Sequence, residues 1–100
     1  MSTLFTINGS WHQRAWLFEQ LAFASSGDAI LLLEDAVLSL QSPIALASFV
    51  AKCEAKNISL CVLSNDLQQR GIENKYKNIQ LIDYAGMVDL VSQHDKQMAW

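Results

Sequence analysis

The sequence predicts a small α/β protein, a three-layer sandwich around a mostly parallel sheet of four to five strands. Two patterns carry that expectation. The run Ala29 to Leu33 is apolar without interruption, as in a strand covered on both faces. Other segments repeat apolar residues at i, i+3, i+4 and i+7, the spacing of one buried helical stripe. Parallel strands need long crossovers, and helices between strands supply them. A chain of 100 residues has room for one core, so a single domain over residues 1–100 is expected.

Taken in order, Thr3 to Ile7 reads as the first strand, because β-branched and aromatic residues suit a pleated, half-buried surface. After the turn Asn8-Gly9-Ser10, Ser10 and Gln13 form a capping-box pair for a helix from about Trp11 to Ser25. Gly27 is placed to supply the left-handed residue that stops it. Glu34 and Asp35 end the apolar run begun at Ala29. Ala36 to Gln41 fits either a short strand or a loop. Ser42-Pro43 then gives an N-cap and a proline at the first helical position. Leu46, Phe49, Val50 and Cys53 form the stripe of that helix, which Asn57 can close. Ile58 to Leu63 is the next buried strand. Ser64 to Gly71 holds a short helical turn, capped by Ser64 and ended by Gly71. Ile79 to Ile82 is a further strand, and Asp83 caps a last helix striped by Tyr84, Met87, Val88 and Val91.

Composition narrows the function. With 51% hydrophobic and 17% charged residues, the chain is neither disordered nor low in complexity. The longest apolar run is five residues, far short of a membrane span, and no secretory signal is expected. The protein is expected to be cytoplasmic and to have no membrane partner. Seven basic against ten acidic residues give a formal charge of −3, the opposite of a phosphate-binding balance. Direct nucleic-acid binding is not expected.

Chemistry is sparse. The first turn carries a single glycine, and neither G-x-G-x-x-G nor G-x-x-x-x-G-K-[ST] occurs, so no phosphate cradle and no cofactor are expected. Cys53 lies on a helical stripe and Cys61 in the middle of a buried strand. A reactive cysteine needs exposure and an electropositive neighbour, so both read as core, with Cys61 a weak candidate thiol. Their spacing matches no metal site. His12 and His94 read as surface or capping residues. Glu34-Asp35 ends a strand at the edge where open α/β sheets place their sites. Arg70, Lys75 and Lys77 with Tyr76 read as a solvated connection. What remains is a surplus of large apolar residues. Trp and Met are enriched at interface cores, and Trp at hot spots. Met98 and Trp100, with Tyr84 and His94, are therefore the candidate interface residues, docking in the chain's own core being the alternative for the tail. Protein–protein association is the leading class.

Three segments add a resemblance. Gly27-Asp28-Ala29-Ile30-Leu31-Leu32-Leu33-Glu34-Asp35-Ala36-Val37 resembles the GDxLLLLxDGV signature of the DsrH/TusB family, with Ala36 in place of the signature glycine. Leu63-Ser64-Asn65-Asp66-Leu67-Gln68-Gln69-Arg70-Gly71 resembles its L-x-x-D-L-x-x-R-G. Ile82-Asp83-Tyr84, then Val88, Leu90, Val91 and His94 up to Gln97-Met98-Ala99-Trp100, is similar to the ending of the TusB branch.

The resemblance implies a DsrEFH-like fold and a non-catalytic structural subunit of a sulfurtransferase (sulfur-relay) complex. Its partners would be two homologous small subunits, TusC-like and TusD-like, in a dimer of heterotrimers. The complex would supply persulfide sulfur for 2-thiolation of tRNA wobble uridine, with the working cysteine on a sibling. Some DsrH-branch members carry a cysteine in the N-terminal part of the chain; this sequence has none before Cys53. Two alternatives stand beside this: a DsrH-like subunit or free-standing homo-oligomeric adaptor in sulfur oxidation or wider sulfur metabolism, and a sulfur carrier using Cys61; in isolation the chain could also form a homo-oligomer.

Overall fold

The computed structural model describes residues 2–9, 21–41 and 43–100. Among these, the strands are β1 (Thr3–Ile7), β2 (Ala29–Leu32), β3 (Ser59–Leu63), β4 (Gln80–Ile82) and β5 (Lys96–Ala99). The α-helices, numbered over the described residues, are α1 (Pro43–Ala55), α2 (Ser64–Gln69) and α3 (Tyr84–Gln93). Two 3-10 segments, Leu21–Phe23 and Glu34–Gln41, flank β2. The sheet runs in the order β4-β3-β2-β1-β5, and every neighbouring pair is parallel. The α/β sandwich expected from the sequence is the fold found.

Successive residues of a strand point to opposite faces, and the two cores divide accordingly. On one face Phe5, Ile7, Ile30, Leu32, Leu60 and Val62 pack against Leu46, Phe49, Val50 and Cys53 of α1. Ala36, Val37 and Leu40 of the longer 3-10 segment join this larger core. On the other face Leu4, Ala29, Leu31, Cys61, Leu63 and Ile82 form a smaller core, against which Met87 and Leu90 of α3 pack. All four residues of β2 are buried, which is why its sequence lacks alternation. Each fully buried Leu, Ile or Phe contributes about 1.5–3 kcal/mol.

Local signals hold at several joints. Gly27 (φ +91°) and Asn57 (φ +58°) both take left-handed backbone and are tied together, Gly27 N–H donating to the Asn57 carbonyl at 3.1 Å. The Asp83 carboxylate caps α3 by accepting from Gly86 N–H at 2.8 Å. Gly86 is small for a reason: a Cβ there would sit 3.0 Å from Ile82 Cβ, where α3 turns back over β4.

Other joints differ from expectation. The capping pair at Ser10, most of the first helix and Ser42 lie outside the described residues. The end of that first segment is described, and Leu21–Phe23 is a 3-10 turn that stops before Ser25. Two groups close it: Asp28 accepts from Ser25 N–H at 2.8 Å, and Lys56 Nζ donates to the Leu21 carbonyl at 2.9 Å. Glu34–Gln41 is a 3-10 helix rather than a strand or loop, because it buries Ala36, Val37, Ser39 and Leu40 at helical spacing. Ser64 does not cap α2. Leu63 takes the N-cap position with no side-chain cap bond, and Ser64 is already helical. The tail Lys96–Ala99 is a fifth strand beside β1, a position its own composition does not announce.

Candidate functional site

The two signature segments meet at the carboxyl ends of β2 and β3. Asp66, buried at the start of α2, accepts from Glu34 N–H at 2.6 Å. Glu34 holds left-handed backbone (φ +52°), a conformation that costs a non-glycine residue energy and needs support. Arg70 completes the clamp, its guanidinium 3.0 Å from the Asp35 carboxylate and 3.8 Å from that of Asp66. Arg70 therefore does not belong to a solvated basic connection with Lys75 and Lys77. It is tied down, as is Glu34-Asp35, the acidic pair that stood out at the strand end. Asp28 does similar work at the other end of the sheet. Its two carboxylate oxygens accept from Thr3 N–H and Ser25 N–H, each at 2.8 Å, fastening β1 to the turn before β2. Sequence reading singled out neither carboxylate as a clamp. Each carboxylate has one distant partner, Thr3 at 25 residues from Asp28 and Glu34 at 32 from Asp66, and only the motif spacing marked them.

Both cysteines of the chain are buried as free thiols. Cys61 is fully shielded on the α3 side of β3, 3.9 Å from the Gln80 side-chain oxygen. Burial pushes its pKa from the usual 9.0 up to about 11. Cys53 lies on the buried face of α1, and its pKa is pushed up to about 12, first by burial and then by the Glu54 charge, against the pull of Lys56. Neither site stabilises a thiolate, which is the reactive form. Among the described residues no group of three His, Cys, Asp or Glu is arranged to hold a metal. No single described helix is long and apolar enough to cross a membrane.

The four candidate interface residues divide between two places. Met98 and Trp100 lie at β5. Trp100 is 7% exposed, stacks on Phe5 with ring centroids 4.2 Å apart, and donates its N–H to the Thr6 carbonyl at 2.8 Å. It is docked in the chain's own core. Met98 is 53% exposed and lines an open groove of about 480 Å³ with Phe5, Phe23, Lys96 and Trp100. Tyr84 and His94 bracket α3, which covers the opposite face of the sheet. Tyr84 is half exposed, and His94 is the C-cap, its Nδ1 2.8 Å from the Leu90 carbonyl. The last-helix stripe is only partly core. Met87 packs inward with Leu90, a residue outside that stripe, whereas Tyr84, Val88 and Val91 face outward as an apolar row.

Comparison with known proteins agrees with these motifs. The sequence matches the family described as DsrH like protein over residues 10–97. It is 35% identical to protein TusB of Pectobacterium parmentieri over 81 residues, covering 80% of this chain and 82% of that one. TusB of Yersinia pestis (strain Pestoides F) is 36% identical with the same coverage. TusB of Buchnera aphidicola subsp. Baizongia pistaciae is 34% identical over 77 residues, 76% of this chain and 77% of that one. With the signature segments joined in one clamp and these relatives spanning most of its length, the chain belongs to the DsrH/TusB family.

Proposed function

We propose that this protein is a non-catalytic, structural subunit of a cytoplasmic sulfur-relay complex that supplies persulfide sulfur for 2-thiolation of tRNA wobble uridine. The observation that carries the reading is the state of its two thiols, both buried and both with pKa values pushed up by burial. In persulfide relay an acceptor thiolate attacks the outer sulfur of a donor persulfide. The S–S bond breaks and the electron pair leaves on the donor thiolate. That step needs an accessible thiolate on each side, and this chain offers none. The working cysteine then sits on a sibling subunit, TusC-like or TusD-like, in a dimer of heterotrimers. Family membership supports the setting, and the outward apolar row on α3 supports a role in assembly. The net charge of −3 supports a subunit that leaves tRNA to others.

Deleting the gene tests the output. Nucleoside analysis of bulk tRNA is expected to show reduced 2-thiouridine, restored by a plasmid copy. Unchanged 2-thiouridine contradicts the reading and leaves sulfur oxidation as the alternative output. Affinity purification of the tagged chain is expected to recover two similarly sized siblings.

A further inference from the structure

β5 ends the sheet, and all four of its residues are exposed. In a parallel pair, alternate residues turn both backbone groups toward the neighbour. Lys96 and Trp100 donate their N–H groups to β1, at the Ser2 and Thr6 carbonyls. By the same alternation Met98 also faces β1, opposite Phe5. Gln97 and Ala99 therefore turn N–H and C=O outward. Among the described residues nothing pairs with this side of β5, and such an edge is a template for another strand unless shortness, charge, proline or a bulge blunts it. β5 is only four residues long with Lys96 at one end, but it carries no proline and no bulge over Lys96–Ala99.

We propose that this edge pairs with the same edge of a second copy of the chain, antiparallel, across a two-fold axis through Met98. The edge is complementary to itself in that register. Gln97 exchanges both backbone bonds with Ala99 of the second copy, and Ala99 with its Gln97, so the four outward groups on each copy are all satisfied. Met98 then faces its own equivalent as the non-hydrogen-bonded pair, where side chains approach most closely. This covers a methionine that is 53% exposed, and it brings the second copy toward Phe23, 77% exposed on the rim of the same groove. Charge is compatible too. The two Lys96 residues lie at opposite ends of the seam, about 13 Å apart at four residues of about 3.3 Å each, beyond the screening length of roughly 8–10 Å. Two five-stranded sheets become one of ten strands. The seam is short, so the dimer is weak and concentration-dependent, at the low end of interface sizes.

Sedimentation of the purified chain over a wide concentration range tests this without reference to sulfur transfer. The 11.2 kDa monomer is expected to give way to a species of twice that mass. Met98→Lys and Met98→Glu each place like charges on the axis and are expected to weaken the dimer at least about tenfold, the scale of close like-charge repulsion near a surface. An equimolar mixture of the two variants is expected to restore it. Both variants change a half-exposed side chain, and unchanged melting checks that they fold. Met98→Cys is expected to form a disulfide-linked dimer on mild oxidation, whereas Gln97→Cys, out of register with itself, is not. A monomer at every concentration overturns the proposal. So does a dimer indifferent to charge at position 98, or an edge that only a different protein occupies.

Discussion

Cys61 and Cys53 show how a side chain's surroundings decide what it can do. Each thiol is held neutral because burial in an apolar core disfavours the thiolate. At neutral pH the native protein is therefore expected to resist alkylating reagents, and both thiols to react once it is unfolded; prompt labelling of the native protein contradicts this. The pH dependence has a definite sign. Folded-state values near 11 and 12 lie above the ordinary value of 9.0, so the unfolded chain releases these protons first. The contribution is complete below about pH 9 and is lost as pH rises toward 11 to 12, which chemical denaturation at increasing pH can follow. Asp66 accepts from Glu34 N–H and also faces the Arg70 guanidinium. Asp66→Ala leaves the Glu34 N–H without its acceptor and is expected to cost about 1–3 kcal/mol by equilibrium denaturation. A loss well under that range means the left-handed turn at Glu34 stands without the clamp.

At the scale of elements, the sequence is most legible where burial alone decides. Ala29 to Leu32 is apolar throughout and is a central strand; Leu46, Phe49, Val50 and Cys53 are spaced for a helix and are the buried stripe of α1. It is least legible where a distant neighbour decides. Lys-Gln-Met-Ala has no β-branched residue, and β5 exists because β1 offers an edge and Phe5 offers a stacking face for Trp100. The 3-10 helix Glu34–Gln41 and the clamp at Asp66 also depend on contacts across some 30 residues, which no local pattern encodes. For the candidate site, the burial of both thiols was readable from their apolar neighbours. The role of Glu34-Asp35 was not, because its partner Arg70 is 35 residues away. Trp100 anchors the least self-sufficient element. Trp100→Ala is expected to cost about 3 kcal/mol in thermal or chemical unfolding, the low end for loss of a buried aromatic. A negligible change means β5 holds to the sheet by backbone pairing alone.

The whole molecule combines a well-packed sheet with apolar surfaces that the described residues leave exposed. One face is closed by α1 and the longer 3-10 segment, the other by α3, whose outward row Tyr84, Val88 and Val91 remains apolar. The proposed role, holding partners rather than carrying sulfur, rests on these buried thiols together with that surface. The most direct measurement is tRNA 2-thiouridine in a deletion strain carrying Cys53→Ala together with Cys61→Ala, expressed at the level of the unaltered protein. Full restoration is the predicted result if, as proposed, both cysteines serve only as core. Failure to restore, with the variant folded and present at normal level, contradicts the account and assigns one of these thiols to the relay.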